Sequence, residues 1–222
     1  MRAISVVTAA LLCVSICVSG GWAGEPASKR LGFDKGKVGE MPPGWKAGVT
    51  GKGAESSVWK LVEDETAPGG KLALFQTSKN PGSAFNVCLA EDGGKYKDVD
   101  ISVSLKAIEG KADQGGGIVW RAKDKDNFYI VRFNPLEQNF WLYKTVGGKR
   151  MSLLKVAAKG ESGKWHTIRV VHKGNKIECY FNGKKMIETT DDTFTEAGLV
   201  GIWSKADAQT YFANVEITAK KE

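Results

Sequence analysis

From Leu72 onward the chain repeats one pattern: short runs rich in Val, Ile, Phe, Tyr and Trp that alternate apolar and polar side chains. Twelve segments read this way: 72–77, 84–90, 99–107, 117–122, 128–134, 139–146, 150–157, 165–173, 176–182, 185–190, 198–204 and 210–219. Turn residues bound them, among them Asn80-Pro81-Gly82, Gly93-Gly94, Gly147-Gly148, Gly174-Asn175 and Asn182-Gly183. A period of two belongs to strands with one face on a core. No segment has the period of an amphipathic helix, and Asp191 to Glu196 has room for a single helical turn. The sequence therefore predicts an all-β fold, two antiparallel sheets packed as a jelly-roll sandwich, in a single domain over residues 31–219. The absence of a fixed-period repeat argues against a propeller or solenoid.

Residues 1–23 read differently. Arg2 gives a positive start, Ala3 to Val18 carry no charge, and Gly20, Gly21 and Ala23 supply small residues. That is the three-part layout of a secretory signal peptide cut after Ala23. Its sixteen uncharged residues fall short of the ~20 needed to span a bilayer. Residues 24–30 then form a short linker, and the expected location is periplasmic or extracellular. Cys13 and Cys17 would leave with the signal. Cys88 and Cys179 would remain, and export permits them to pair. Each lies in an apolar run, however, where a free cysteine serves as a small core residue. A net charge of +7 invites a nucleic-acid reading, but the lysines are scattered through turns instead of gathered on one element.

Two hairpins can be registered by hand. Around Gly174-Asn175, a two-residue turn places Ile168, Val170 and His172 opposite Phe181, Cys179 and Ile177. Both histidines of the chain, His166 and His172, then lie on the apolar face of one strand, where packed residues are commoner than ligands. Strands 117–122, 128–134 and 139–146 form a meander. With Arg121 opposite Tyr129 and Asn134 opposite Asn139, one face holds Val119, Val131, Phe133, Phe140 and Leu142. The other holds Trp120, Phe128, Ile130, Arg132, Asn134, Asn139, Trp141 and Tyr143. Aromatic rings can stack on the C–H faces of a pyranose while amides and a guanidinium take its hydroxyls, so this second face has the makings of a sugar-binding surface. A competing arrangement puts the tryptophans between the sheets, and a register slip of one residue would exchange the faces.

The stretches Gly115 to Lys144, Gly163-Lys-Trp-His-Thr-Ile-Arg-Val, Cys179-Tyr-Phe-Asn-Gly-Lys and Ala197 to Asp207 together resemble exported bacterial proteins of the concanavalin A-like lectin/glucanase superfamily. Within it they are similar to the branch carrying the 3-keto-disaccharide hydrolase (3-keto-glucoside lyase/hydratase) domain. The resemblance implies a jelly-roll sandwich over nearly the whole mature chain, acting on or binding sugars. A family 16 glucanase would need two carboxylates ~5–5.5 Å apart, in a run like Glu-x-Asp-x-x-Glu. No such run occurs. The keto-glucoside activity implies acid/base groups and a metal near a histidine-containing loop before the last strand. Here that loop reads Trp203-Ser-Lys-Ala-Asp207, without histidine.

No cofactor or metal is therefore expected from the residues, which show no converging set of zinc ligands. The Asp124-Lys-Asp126-Asn127 turn lacks the glycine and glutamate of an EF-hand. The superfamily leaves open a structural Ca²⁺ held by loop carboxylates and carbonyls. Gly115-Gly116-Gly117 precedes a strand, so it is no phosphate loop. If there is catalysis, Glu137, Asp207, Lys205 and Arg132 are its candidates. The expected function is an exported protein recognising an oligo- or polysaccharide through Trp120, Arg132, Asn134, Asn139, Trp141, Tyr143 and Trp203. The alternatives are a 3-keto-glycoside hydrolase or lyase, and a non-catalytic adhesion module.

Overall fold

The computed structural model describes residues 28–50 and 56–218. The expected signal peptide lies outside them. Fifteen strands fill the described chain: β1 (Ser28–Leu31), β2 (Trp45–Thr50), β3 (Trp59–Glu63), β4 (Leu72–Gln76), β5 (Phe85–Ala90), β6 (Val99–Glu109), β7 (Gly116–Asp124) and β8 (Asn127–Asn134). They continue with β9 (Asn139–Val146), β10 (Lys149–Ala157), β11 (Trp165–Lys173), β12 (Lys176–Phe181), β13 (Lys184–Thr190), β14 (Leu199–Lys205) and β15 (Gln209–Thr218). All twelve predicted segments are strands. The first three strands were not anticipated, and β1 takes up residues assigned to the linker because it pairs with β15.

Two antiparallel sheets result. The first runs β13-β12-β11-β6-β15-β4-β3, with β1 also on β15, and the second runs β10-β9-β8-β7-β14-β5-β2. Between them lies the main core. From the first sheet come Ile101, Val103, Leu105, Ile168, Val170, Phe212 and Ile217, and from the second Cys88, Ile118, Val131, Phe133, Phe140, Leu142 and Ile202. The hairpin around Gly174-Asn175 has the expected register, Ile168 opposite Phe181 and His172 opposite Ile177. Cys88 and Cys179 are free and buried. They occupy different sheets, and burial pushes both thiols well up. Among the described residues no helix is long and apolar enough to cross a membrane.

One expectation is overturned. Trp120, not Arg121, stands opposite Tyr129, and the register shifts between Trp120 and Asp124. The cause is a bulge at Arg121, whose φ is 46°. An extra residue in one strand exchanges inward and outward for everything on one side of it. Trp120 therefore points into the core, fully buried. Its indole N–H crosses between the sheets to donate to Nδ1 of His172 at 2.9 Å. Val119, expected inside, lies on the opposite face.

Arg121 keeps its left-handed conformation because its own side chain is fixed. Nε donates to Lys97 O at 2.6 Å, and the two Nη groups donate to Phe194 O and Gly174 O, each at 2.8 Å. Three backbone carbonyls from three loops thus hold one guanidinium. Charge-assisted bonds of this kind are stronger than neutral ones and readily offset the ~1–3 kcal/mol of a strained backbone.

Candidate functional site

The second sheet has a face turned away from the core, and it is apolar in a way an exposed sheet face is not. Phe85, Val87, Leu89, Val119, Phe128, Ile130, Tyr143 and Trp203 form a cluster of their own there. One row of paired positions crosses all seven strands: Gly48, Val87, Trp203, Gly117, Arg132, Trp141 and Lys155. Gly117 sits where Trp203 and Arg132 flank it. A Cβ there would collide with the Val131 carbonyl, so only glycine fits. The adjoining rows add Tyr143 on one side and Asn134, Asn139 and Lys205 on the other.

Alternation on β8 and β9 thus places Arg132, Asn134, Asn139, Trp141 and Tyr143 on one face, as expected, and β14 brings Trp203 beside them. Trp120 does not join them. The rings of Trp141 and Tyr143 stack with centroids 4.6 Å apart. The Arg132 guanidinium lies 5.7 Å from the Trp141 ring, and Lys155 sits 4.2 Å over the same ring. Trp141 is the partly exposed member of the set, and its N–H donates to Ser152 Oγ at 2.7 Å.

A polar group closes one end of the face. Arg132 Nη2 donates to Glu137 Oε2 at 2.8 Å, and Asn139 Nδ2 donates to the same oxygen at 2.9 Å. Despite partial burial, these bonds hold the Glu137 carboxyl down at about 2. Asp113, 1% exposed, accepts from Asn134 Nδ2 at 2.8 Å and Lys205 Nζ at 3.0 Å. Burial outweighs the nearby charges of Arg132 and Lys205, so the Asp113 carboxyl is raised. Asn134 serves the scaffold, since its Oδ1 also accepts from the Glu137 backbone N–H.

Of the catalytic candidates, Glu137, Lys205 and Arg132 belong to this group. Asp207 has another task. Its carboxylate accepts from the backbone N–H groups of Lys111, Ala112 and Asp113 at 2.7–3.1 Å, which staples the loop carrying Asp113. Sequence reasoning missed Asp113, which lies in that loop, and Arg150 on β10. Arg150 stands opposite Thr145, with its guanidinium 4.3 Å from the Tyr143 ring and 5.2 Å from that of Phe85.

The face holds donors and acceptors that the described residues do not use. Nε and Nη1 of Arg132, Nη1 of Arg150, Nε1 of Trp203, Oδ1 of Asn139 and the hydroxyls of Tyr143 and Thr145 are all buried without a hydrogen-bond partner among the described residues. Each such atom costs about 1–3 kcal/mol when left unsatisfied, and native folds keep few of them. Burial pushes the Tyr143 phenol up to about 12, so it is a neutral donor and acceptor.

The metal implied by the family resemblance finds no fitting donor set. Among the described residues no three His, Cys, Asp or Glu side chains come together. The two carboxylates at this face already serve Arg132 and Lys205.

Fold and face together define a concanavalin-like two-sheet β-sandwich with one elaborated sheet face. The chain belongs to the family of the 3-keto-alpha-glucoside-1,2-lyase-like domain, whose profile matches residues 33–218. No curated protein matches the sequence. Among solved structures, the carbohydrate binding module CBM66 from Bacillus subtilis is similar, with a TM-score of 0.62 and 16% identity over 78% of this chain and 94% of that one. A Bacteroides ovatus mixed linkage glucan GH16 protein, solved with a G4G4G3G product, gives 0.60 at 10% identity over 85% and 99%. A Bacillus subtilis protein of unknown function with a galectin-like fold gives 0.58 at 12% identity over 89% and 99%. At such identities these likenesses establish the fold alone.

Proposed function

We propose that this is an exported protein that recognises a carbohydrate on the outer face of the second sheet. The observation that carries this reading is the cluster of unpartnered polar atoms on Arg132, Asn139, Tyr143, Arg150 and Trp203 beside the stacked Trp141 and Tyr143 rings. A pyranose supplies what the face lacks, with hydroxyls for the orphan N–H groups and C–H faces for the rings. The similar structures named above include a carbohydrate binding module and a protein solved with a glucan product, which supports the same ligand class. Export rests on the character of residues 1–23.

The test is a glycan array followed by calorimetry on the sugars it identifies. Trp141→Ala is expected to weaken binding about tenfold to a hundredfold, as loss of an aromatic anchor does. Because Trp141 is partly exposed, the fold should survive the change. Unchanged affinity for every sugar bound would refute the site.

A second reading, a lyase acting on a 3-keto-disaccharide, draws on the family match and on the buried Asp113–Lys205 pair. A 1,2-elimination needs a base for the C2 proton, which the neighbouring ketone acidifies, while the C1–O bond breaks and its oxygen is protonated. A carboxyl raised by burial and joined to a lysine can hold and move such a proton. Turnover that disappears in Asp113→Asn, with binding kept, would establish it. Turnover undiminished in that variant would remove Asp113 from the role.

A further inference from the structure

Charge on this face is lopsided. Arg132, Arg150, Lys155 and Lys205 face two carboxylates, Asp113 and Glu137. Glu137 serves one edge of Arg132, and Asp113 serves Lys205. Among the described residues Arg150 forms no ion pair. It lies over the Tyr143 ring instead. Burial lowers its affinity for its own proton, and the neighbouring charge of Arg132 lowers it further. Two guanidiniums that share a low-dielectric face repel each other, a repulsion that Asp113 and Glu137 offset only in part at Arg150.

The orphan atoms are skewed in the same direction. Four are N–H groups, on Arg132 Nε and Nη1, Arg150 Nη1 and Trp203 Nε1, whereas Asn139 Oδ1 is the one that can only accept. A ligand that completes this face must bring acceptors. Uncharged sugar hydroxyls would satisfy the hydrogen bonds and leave the excess charge where it is. A planar anion would satisfy both, because a guanidinium edge matches a carboxylate in a two-bond fork.

We propose that the sugar bound here carries a carboxylate, held between Arg132 and Arg150, so that the site selects a uronic acid residue over its neutral counterpart. This deepens the carbohydrate reading and rests on it. The partly exposed Trp141 ring, backed by Tyr143, then takes the sugar ring, and the arginines read its acid group. The two halves of the face have separate tasks.

The experiment uses the intact protein and matched pairs of acidic and neutral disaccharides of gluco, galacto and manno configuration, with a sulfated member for each. Titration calorimetry is expected to show at least one uronate bound about tenfold more tightly than its neutral match, the difference between a charge-assisted pair and a neutral one. Raising ionic strength from about 0.05 to 0.5 M should erode that preference. Arg150→Gln should reduce it to near unity, with the melting temperature showing that the variant is folded.

Equal binding of acidic and neutral partners, or a preference that survives in Arg150→Gln, overturns the proposal and leaves the carbohydrate reading intact. So does a preference for the sulfated sugars, because it places a different anion in the site. If a neutral glycan binds through Trp141 and no uronate does, the acid-group assignment alone falls. If no sugar of any kind binds, the underlying reading falls with it.

Discussion

Trp120→Ala is expected to cost the fold about 4 kcal/mol and to leave the sugar affinity of the surviving folded molecules unchanged. The indole is fully buried in the main core. Its ring stacks on Tyr129 at 5.6 Å and meets His172 edge-on at 6.3 Å. Truncation leaves a cavity between the sheets and strips Nδ1 of His172 of its donor. The burial that makes this costly also holds the His172 ring neutral, with its pKa lowered from 6.5 to about 4.

That depression has a sign. Between these values the unfolded chain binds a proton that the folded chain refuses, so stability is full above pH 6.5 and falls as pH drops toward 4. The contribution is about 3 kcal/mol. Urea denaturation across that range measures it, and His172→Gln should flatten the upper part of the profile. If Trp120→Ala unfolds at the wild-type urea midpoint, or if it loses sugar binding while fully folded, the inward placement of this side chain is wrong.

The fate of Trp120 marks where sequence reasoning stops. Alternation is easy to read from Leu72 onward because turn residues stand beside the strands, and β7 to β10 and β11 to β13 are runs of hairpins between chain neighbours. β1 and β2 are harder. Ser28–Leu31 is polar apart from Leu31, and it becomes a strand by pairing with β15 at the far end of the chain. β2 carries a glycine at its centre, Gly48. The slip on β7 has a similar origin. Nothing local to Arg121 announces a left-handed residue, since its conformation is held by carbonyls at Lys97, Gly174 and Phe194. Those partners lie at 24, 53 and 73 residues' separation, beyond the reach of any pattern in the strand itself.

The site was legible to the same extent. β8 and β9 read correctly, so Arg132, Asn139, Trp141 and Tyr143 were found together. Arg150 was within reach. The Gly147-Gly148 turn puts it opposite Thr145, two positions from Tyr143 on the same face, and extending the meander by one hairpin would have found it. Asp113 carried no such signal, because it reaches the face from a loop positioned by Asp207.

Arg132→Met is the counterpart of the Trp120 change, and its expected result is the reverse: binding falls about a hundredfold or more while the fold holds. Methionine keeps the apolar stem that packs beside Trp141 and removes the guanidinium. The partner left behind, Glu137, has 41% of its side chain exposed, so water can take over its solvation and the folding cost stays near ~1 kcal/mol. Its carboxyl, held at about 2 by this arginine and Asn139, should rise toward its ordinary 4.5, which carbon-detected NMR titration can follow. Asp113, raised by burial and restrained by the charge of Arg132, should rise further. The titration confirms that the charge has gone, and calorimetry asks whether the ligand needed it. A shifted Glu137 with affinity within twofold of wild type would mean that the ligand makes no use of the buried guanidinium. Its orphan N–H groups would then be an unrewarded cost of the fold and no sign of a binding site.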